Sequence, residues 1–508
     1  MRVLLVYPNL PLMLVPPLSI AIFTSILKKL KCQVELFDTT GYIYNEDVSP
    51  KNRVKFLQAR EFNDHDDLGI VVKQNLLDDF RKKIIDFKPQ AMIFSVVEDA
   101  FEKTLKMLKH IEDMDIPHII GGVFPTAAPE LCMKNPNVKL IGLGEGENII
   151  IDFIEAIRKN TTLDKIPGTW YKDNNGNIHK NIPQRLIDID LIKPDFSLFE
   201  KERFYRPMGG RIFKTVPVET YRGCPYTCSF CNSPMQVSFA KCSGQGSFIR
   251  KKSIPELREE FQGLIKNHSP EFIYFIDDSF TARPNKEIYE FCEMYKEFKI
   301  PFWFNTRPEQ CSQDVLEILK NVGCYRISFG IECGNEEFRK RMLNRHVTNE
   351  ILLKHFEIIS KCGISFSINL IIGFPEETRE LIMETIELVR MIKNYDTITV
   401  SMFTPYHGTV LRKIAEDNNW IGKDKITIHT TSESMLNMPK PYLSREELSG
   451  IMRVIVLYCS FSKSEWDHIR RAEINDKKGN EIFGYYSGIY SDKFLKRTQE
   501  DIKENVNI

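Results

Sequence analysis

Short apolar segments alternate with helix-like segments in two separate runs of this chain. The first run occupies residues 1–160, and the second begins at Val216 and ends near residue 410. Alternation of this kind is typical of βαβ units that build a mainly parallel sheet. A chain of 508 residues is also too long for a single hydrophobic core. We therefore predict an α/β protein with two such domains, joined by a linker at 161–215 and followed by a mainly helical C-terminal region at 411–508.

The first run predicts a doubly wound, Rossmann-like sheet. Its strand-like segments are 2–7, 34–38, 91–96, 117–122 and 138–142. Residues 43–75 are polar and charged, and we interpret them as an insertion or a long loop. Ligands of doubly wound sheets bind beyond the carboxyl ends of the strands, so functional residues are expected there.

The second run predicts a partial (β/α)6 barrel. After the strand that starts at Val216, the candidate strands are 272–277, 302–306, 325–330, 365–372 and 397–403. The reactive centre of such a barrel lies at the carboxyl ends of its strands. In the C-terminal region, Ser444-Arg445-Glu446-Glu447 predicts a capping box at the start of a helix that continues through Tyr458.

Composition excludes several classes of protein. Lys plus Arg and Asp plus Glu both total 69, a balance without the electrostatic footprint of a nucleic-acid-binding protein. No apolar run reaches the roughly 18 residues that span a bilayer, and Pro8 breaks the N-terminal segment too early for a signal peptide. Twelve cysteines without such a signal favour a reducing compartment. We expect a cytoplasmic protein with no membrane span and no nucleic-acid partner.

Three cysteines lie close together at the end of the first barrel strand, as Cys224, Cys228 and Cys231. The spacing C-x3-C-x2-C supplies soft thiolate ligands, which select zinc, copper(I) or iron–sulfur clusters. Structural zinc and ordinary ferredoxin clusters take four protein ligands, whereas this loop leaves one coordination position open. The spacing therefore predicts a cluster that binds a substrate.

The loop resembles the signature of the radical S-adenosylmethionine (SAM) enzymes, C-x3-C-x-φ-C, with Phe230 at the aromatic position φ. The resemblance implies that Cys224, Cys228 and Cys231 hold a [4Fe–4S] cluster and are the catalytic and metal-binding residues. It also implies that SAM chelates the fourth iron. One electron, from a donor such as flavodoxin or ferredoxin, would then cleave SAM to a 5′-deoxyadenosyl radical.

Residues at the ends of the predicted barrel strands extend this resemblance over roughly 216–410. Asp277-Asp278 ends the second strand, and Gly330-Ile331-Glu332-Cys333-Gly334 resembles the G-I-E-S-G turn of the family. Asn369 begins a segment close to the family's D-x-I-x-G-F-P-x-E-T turn. By this resemblance, the residues that contact SAM are Phe230, Asp278, Arg307, Glu332, Asn369 and Gly373.

Two positions depart from the turns of that family. Cys333 replaces the usual serine, and because a fourth protein ligand would block SAM, we expect it to be a buried free thiol. His407 stands where the family turn P-Y-P-G-T has its second proline.

Glycine-rich turns follow the fourth and fifth predicted strands of the first run. The segment 121–126 reads GGVFPT, with Pro129-Glu130 after it, and the segment 142–147 reads GLGEGE. Glycines there let a ligand approach the backbone and leave amide groups free at a helix start. The pattern resembles the cobalamin-binding domain of B12-dependent radical SAM enzymes. It implies cobalamin contacts from Ser95, Gly121, Gly122, Pro125, Thr126, Gly144, Glu145 and Gly146.

The first run lacks the D-x-H-x-x-G motif by which many B12 proteins supply a histidine to cobalt. The acidic segment 63–69 fails on register, and we interpret it as a solvated loop. We expect cobalt to have no protein histidine below it. The alternative, that this domain has lost cobalamin, stays open.

Together the two resemblances predict a cobalamin-dependent radical SAM enzyme that methylates an unactivated carbon of a small molecule, through a 5′-deoxyadenosyl radical and methylcobalamin. One alternative is a related enzyme that does not methylate, such as an oxidative cyclase or a ring-contracting enzyme. Another is a non-enzymatic iron–sulfur sensor, which would need a fourth cluster ligand and no SAM pocket. A methylthiotransferase is disfavoured, because those enzymes bind a second cluster with three N-terminal cysteines and only Cys32 and Cys132 precede the loop.

Overall fold

The computed structural model describes residues 1–10, 15–43, 51–59, 71–208, 211–428 and 433–495. Seven strands of the described residues form a first sheet: β1 Arg2–Tyr7, β2 Gln33–Asp38, β3 Ala91–Ser95, β4 His118–Gly121, β5 Leu140–Gly142, β6 Thr169–Lys172 and β7 Ile178–Lys180. Their order across the sheet is β2-β1-β3-β4-β5-β6-β7. Strands β1 to β5 run parallel, and β6 and β7 extend the sheet as an antiparallel hairpin.

The remaining described strands are β8 Tyr205–Met208, β9 Arg211–Val218, β10 Tyr221–Arg222, β11 Arg250–Lys251, β12 Phe272–Phe275, β13 Phe302–Thr306, β14 Cys324–Glu332, β15 Ser365–Ile372 and β16 Thr397–Met402. Strands β10 and β11 form a small separate ribbon. The others form a second sheet in the order β16-β15-β14-β13-β12-β9-β8. Six of these strands are parallel, and only β8 is antiparallel to its neighbour. The predicted α/β fold, a doubly wound domain followed by a partial barrel, is confirmed.

Helices connect the parallel strands. In the first domain they are α1 Leu18–Lys29, α2 Lys51–Lys55, α3 Leu76–Phe87, α4 Phe101–His110, α5 Val123–Ala127, α6 Pro129–Lys134 and α7 Glu147–Arg158. In the barrel they are α8 Ser233–Cys242, α9 Ile254–His268, α10 Asn285–Tyr295, α11 Gln313–Asn321, α12 Glu336–Leu343, α13 Asn349–Cys362, α14 Arg379–Met391 and α15 Val410–Asp417. The C-terminal helices are α16 Arg445–Ser460, α17 Trp466–Arg471 and α18 Lys477–Tyr490.

The two faces of each sheet have different surroundings. In the first sheet, alternate residues of β1 belong to separate buried clusters, with Leu5 on one side and Leu4 and Val6 on the other. This is the double burial expected when helices cover both faces of a parallel sheet. In the barrel, Ile273 and Phe275 pack outward against the helices, whereas Tyr274 between them packs inward. The inward face is therefore the one that can hold a ligand.

Helix α16 of the C-terminal region begins as predicted. Ser444 accepts a hydrogen bond from the Glu447 amide, and the Glu447 carboxylate accepts one from the Ser444 amide, so the capping box is confirmed. Helix α16 packs against α14 and against the edge strand β16.

The interpretation of residues 43–75 as a polar loop was wrong for the part that the structure describes. Helix α2 lies within it, and the following Phe56 and Leu57 are buried in the main core. The Gln58 side chain accepts a hydrogen bond from the Val400 amide at 3.0 Å, so this segment covers the open edge of β16. The cause is long-range packing that the polar composition does not reveal. The acidic segment 63–69 lies outside the described residues.

Within the described part of the chain, no helix combines the length and the apolar character that crossing a bilayer requires.

Candidate functional site

The cysteine loop leaves the barrel immediately after β9 and the short ribbon strand β10. Gly223, which precedes Cys224, has a φ of +88°, a conformation that side chains rarely adopt. A Cβ at this position would also lie 2.9 Å from the Phe248 ring. A glycine here therefore allows the chain to turn from β10 into the loop. All three cysteines of the loop are half-buried free thiols.

The surroundings of the Cys224 and Cys231 thiols favour their neutral form. This suits cluster ligands that lose their protons only when iron binds. Burial is the main cause that raises the pKa of Cys231 to about 12, and the nearby Asp278, Cys228 and Cys224 act in the same direction. Burial likewise raises the pKa of Cys224 to about 11. The Ser233 amide lies 3.4 Å from the Cys231 sulfur, as a donor that would stabilise a thiolate. Among the described residues, no group of three or more Cys, His, Asp or Glu side chains is disposed to hold a single metal ion.

Arg307, at the end of β13, lies against the loop. Its Nη2 donates to the Cys228 sulfur at 2.6 Å, and its guanidinium carbon lies 3.4 Å from the centre of the Tyr226 ring. Glu309 lies 3.6 Å from its Nη1. The predicted SAM contact is thus also a direct partner of a predicted cluster ligand.

The aspartate pair after β12 divides into two roles. Asp277 is buried and accepts hydrogen bonds from the Thr220 amide, at 2.7 Å, and from Arg283, so it fixes the start of the cysteine loop. Asp278 is exposed to a cavity and accepts a hydrogen bond from the Ser233 hydroxyl at 2.7 Å. Shielding by the surrounding protein raises the pKa of Asp278. Of the pair, Asp278 is the residue that can reach a ligand.

Glu332 ends β14 in a strained conformation. Its φ is +67°, and the pairing of β14 with β15 shifts by one residue between Gly330 and Glu332. Bulges of this kind re-aim a side chain and are common next to active sites. Burial raises the pKa of the Glu332 carboxyl, although Arg345, 3.3 Å away, opposes this effect.

The two predicted SAM contacts on and after β15 have different surroundings. Asn369 is half-buried on the inward face of the sheet. Gly373 is buried, and the Glu377 carboxylate accepts hydrogen bonds from the Gly373 amide at 2.5 Å and from the Phe374 amide at 3.2 Å. Glu377, which the sequence analysis did not single out, therefore holds the Gly-Phe-Pro turn in place. The acidic residue two positions after the proline of that turn was the available signal.

Phe230 and Cys333 meet in one apolar cluster beside the loop. The Phe230 ring lies 6.0 Å from the Phe374 ring, and Cys333 is fully buried in the same cluster. The Cys333 sulfur accepts a weak hydrogen bond from the Thr385 hydroxyl at 3.8 Å. The expected burial of Cys333 is confirmed, and its role as a thiol that does not bind the cluster stays a prediction.

A cavity of about 300 Å³ lies between the first sheet and the cysteine loop. Its wall includes seven of the residues predicted to contact cobalamin: Ser95, Gly121, Gly122, Thr126, Gly144, Glu145 and Gly146. Pro125 is buried in α5 and is not in the wall. The barrel domain contributes Glu219, Tyr221, Arg222, Gly223 and Asp278. Of the predicted SAM contacts, Asp278 lines this cavity together with the predicted cobalamin contacts, whereas Phe230, Arg307, Glu332, Asn369 and Gly373 are not in its wall.

Thr126 joins the two glycine turns of this wall. Its hydroxyl donates to the Gly122 carbonyl at 2.8 Å and accepts from the Gly144 amide at 2.9 Å. Gly122 has a φ of +130°, and a Cβ there would lie 2.2 Å from the Val96 carbonyl oxygen. The backbone therefore approaches the cavity without a side chain in the way, as a bulky ring ligand requires.

Arg222, directly before the loop, connects the two domains. Its Nη1 lies 2.9 Å from Glu145 and 2.7 Å from Glu147, and its Nη2 lies 2.9 Å from Glu219. Burial lowers the pKa of Arg222, but the three carboxylates outweigh burial and raise it. The second carboxylate oxygen of Glu145 is buried without a hydrogen-bond partner among the described residues. This free acceptor at the cavity wall suits the amide side chains of a corrin ring.

Glu98 and His407 form a second contact between the domains. The Glu98 carboxylate lies 2.6 Å from His407 Nδ1 and accepts from the His407 amide at 2.9 Å. The histidine that departs from the family turn therefore binds a buried acid that follows β3. Neither Arg222 nor this pair was predicted, since both depend on contacts between distant parts of the sequence.

Two family models match the chain. The model described as the radical SAM superfamily matches residues 218–389, and the model described as the B12 binding domain matches residues 54–154. The chain therefore belongs to the radical SAM enzymes that carry a cobalamin-binding domain, and its cofactors are a [4Fe–4S] cluster, SAM and cobalamin.

The chain is similar to curated proteins of both kinds that the sequence analysis considered. It is 28% identical over 366 residues to an uncharacterised methyltransferase of Pyrococcus horikoshii, covering 71% of this chain and 75% of that protein. It is 27% identical over 345 residues to the anaerobic magnesium-protoporphyrin IX monomethyl ester cyclase of Rubrivivax gelatinosus, covering 65% of this chain and 59% of that protein.

Solved structures share the fold of the whole chain. The cobalamin-dependent SAM radical enzyme OxsB matches with a TM-score of 0.64 at 17% identity, over 97% of this chain and 72% of that one. The radical SAM methyltransferase TsrM from Kitasatospora setae matches with a TM-score of 0.60 at 14% identity, over 96% of this chain and 99% of that one. The predicted arrangement of a cobalamin-binding domain before a radical SAM barrel is confirmed.

Proposed function

We propose that this protein transfers a methyl group to an unactivated carbon of a small molecule. The observation that supports the proposal is the cavity between the domains, because its wall combines the glycine turns of the first domain with Gly223 and Asp278 beside the cysteine loop. A ligand in this cavity contacts residues of both domains. Similarity to the methyltransferase of Pyrococcus horikoshii supports the same class of reaction.

The cofactors, when bound, supply a 5′-deoxyadenosyl radical and a transferable methyl group. Cys224, Cys228 and Cys231 are the proposed ligands of the cluster, and Arg307 holds Cys228 in place by donating to its sulfur at 2.6 Å. The Asp278 carboxylate is open to the cavity and can accept hydrogen bonds from an ammonium group of SAM.

Other residues of the chain shape the site. Phe230 and Phe374, with ring centres 6.0 Å apart, form an apolar wall that keeps water away from the loop. Glu332, at the bulge of β14 and beside Arg345, can accept hydrogen bonds from hydroxyl groups of SAM. Glu145 Oε2, buried and without a partner among the described residues, can accept one from an amide of cobalamin.

A protein electron donor, such as flavodoxin or ferredoxin, is part of the proposal, because the radical chemistry that the cluster would supply requires one electron from outside. The equal numbers of basic and acidic residues support a small-molecule substrate rather than a nucleic acid.

A second candidate is oxidative ring formation without methyl transfer. The similarity to the magnesium-protoporphyrin IX monomethyl ester cyclase favours it. The two candidates use the same cofactors and differ in the product, because only methyl transfer adds a carbon to the substrate.

Anaerobic reconstitution with iron, sulfide, cobalamin and methyl-labelled SAM tests the proposal. We expect 5′-deoxyadenosine to form after reduction, and the label to appear in one component of a small-molecule cell extract. Without any 5′-deoxyadenosine, the radical reaction is refuted. If 5′-deoxyadenosine forms and a component changes in mass without gaining label, the second candidate is favoured.

A further inference from the structure

The inward face of the barrel sheet is polar and partly open. Along β15 and β16, the side chains that point to the helices are buried, whereas Asn369, Thr399 and Ser401 are only half-buried. Successive residues of a strand point to opposite faces, so these three side chains line the concave side of the sheet, here called the lumen. Asn305 and Tyr274 belong to the same face, and the Asn305 amide donates to the Tyr274 hydroxyl at 3.1 Å.

Arg206 reaches into the lumen from the edge strand β8. It is paired in register with Phe213 of β9, whose ring also packs on this face. The Arg206 guanidinium carbon lies 4.8 Å from the centre of the Trp303 ring and 5.1 Å from that of Tyr274, and these two rings stack at 4.1 Å. In the described part of the chain, ring faces hold this cation and no hydrogen bond or ion pair engages its N–H groups.

Arg53 is a second cation, on helix α2 in the segment that covers the β16 edge of the same sheet. Gln58, just beyond that helix, binds the backbone of β16 at Val400, at the opposite edge of the sheet from β8. Burial lowers the pKa of Arg53, and the charge of Arg206 lowers it further. The two guanidinium groups are therefore close enough to repel each other. Neither forms an ion pair with a carboxylate of the described residues.

Two half-buried like charges with no counter-ion among the described residues are costly. Proteins usually pair such groups or leave them in solvent. An anionic ligand between the two arginines would relieve both the repulsion and the loss of hydration. The planar donor groups of arginine suit carboxylate and phosphate, because they can bind two oxygens at once.

We propose that the lumen binds a substrate with a carboxylate or phosphate group, held by Arg206 and Arg53. This inference rests on the proposed function, since it names the substrate class for the same reaction. Arg307 directly follows β13 in an extended conformation, four residues or roughly 13 Å beyond Trp303. Arg307 also contacts the cysteine loop. The substrate is therefore extended, with its anionic group on the order of 10 Å from the reacting carbon.

Anaerobic isothermal titration calorimetry of the reconstituted full-length protein tests the inference. Benzoate and phenyl phosphate carry the two kinds of anionic group, and benzamide is the neutral counterpart of benzoate. We expect the wild type to bind at least one anion in clear preference to benzamide. The affinity should fall about tenfold or more in Arg206→Gln and in Arg53→Gln, because each loses charge-assisted hydrogen bonds. The anion that binds more tightly identifies the group on the substrate.

Arg258→Gln is the matched control, because Arg258 pairs with Glu297 at 2.8 Å on the outer helices, and it should bind the anions as the wild type does. If Arg206→Gln does not fold, Arg53→Gln decides the matter, since that change disturbs no ring stack. Any one of three results overturns the inference. The folded wild type binds neither anion, it binds benzamide as tightly as benzoate, or both variants bind the anions with wild-type affinity. Formation of 5′-deoxyadenosine by the wild type is measured separately: its absence refutes the proposed function, whereas its presence without anion binding refutes only this inference.

Discussion

Arg222 Nη1 lies 2.7 Å from the Glu147 carboxylate, and this contact joins the residue before the cysteine loop to the glycine turn at the cavity. The Glu145 and Glu219 carboxylates complete the surroundings of the same guanidinium. One buried side chain therefore fixes the position of the cluster loop relative to the cobalamin-binding domain.

Replacing Arg222 by glutamine should destabilise the protein strongly. The change leaves three poorly hydrated carboxylates without their cation, and breaking a buried pair typically costs about 3–5 kcal/mol. Urea unfolding followed by fluorescence measures the effect. The control is Arg258→Gln, which breaks a pair whose side chains are 42% and 44% exposed and should cost about 0–1 kcal/mol. Equal midpoints for the two variants would show that Arg222 does not link the domains.

Gly122→Ala should abolish the retention of cobalamin. A Cβ would lie 2.2 Å from the Val96 carbonyl oxygen, and the φ of +130° is unfavourable for alanine, so the turn has to move. Gly263→Ala is the matched control, because a Cβ there meets no atom within 4 Å and alanine favours the surrounding helix by about 1 kcal/mol. Absorbance of the purified proteins after gel filtration with cobalamin measures the outcome. Normal retention by Gly122→Ala would place the cofactor elsewhere.

The sequence was sufficient to predict the parallel strands of both sheets, because the features that define them are local. It did not predict that β6, β7 and β8 extend the two sheets from the segment 161–215, which was interpreted as a linker. Apolar segments such as 91–96 are regular strands in the structure, and the glycines at 121–122 mark the end of a strand by their own conformational requirements. The cysteine spacing is equally local. These features need no knowledge of which segments become neighbours.

The contacts that complete the site could not be predicted in this way. Arg222 and Glu147 are separated by 75 residues in the chain, and Glu98 and His407 by 309. Arg206 looks like an ordinary residue of a linker until β8 places it over Trp303. Such pairings depend on how the two sheets pack, which hydrophobic periodicity does not determine. The clustered carboxylates of the GLGEGE segment were a usable signal that a cation lies nearby.

Glu377 should make stability fall as pH rises. Burial raises the pKa of this carboxyl from 4.5 to about 8, although the Gly373 and Phe374 amides oppose the shift. Between these two values the folded protein binds more protons than the unfolded chain, so the stabilisation is complete below pH 4.5 and is lost as pH rises through about 8. Glu377→Gln should remove a decline on the order of a few kcal/mol. Urea midpoints across this range measure it.

The matched control for that experiment is Glu357→Gln, which changes an exposed carboxylate paired with Lys361 at 2.6 Å. Its pH profile should follow that of the wild type. A wild-type decline that persists unchanged in Glu377→Gln would assign the pH dependence to other buried groups.

Replacing Cys224, Cys228 or Cys231 by alanine should abolish the cluster, whereas Cys333→Ala should keep it. The three loop thiols share one short half-buried segment, while Cys333 is enclosed in an apolar cluster with Thr385 as its polar neighbour. Iron and acid-labile sulfide per protein, measured after anaerobic reconstitution, should fall to background in the loop variants. The exposed Cys242 gives a further control, as Cys242→Ala should retain full iron content. If Cys333→Ala loses the cluster as completely as the loop variants, Cys333 is a fourth ligand, the position needed for SAM is closed, and the iron–sulfur sensor becomes the better interpretation.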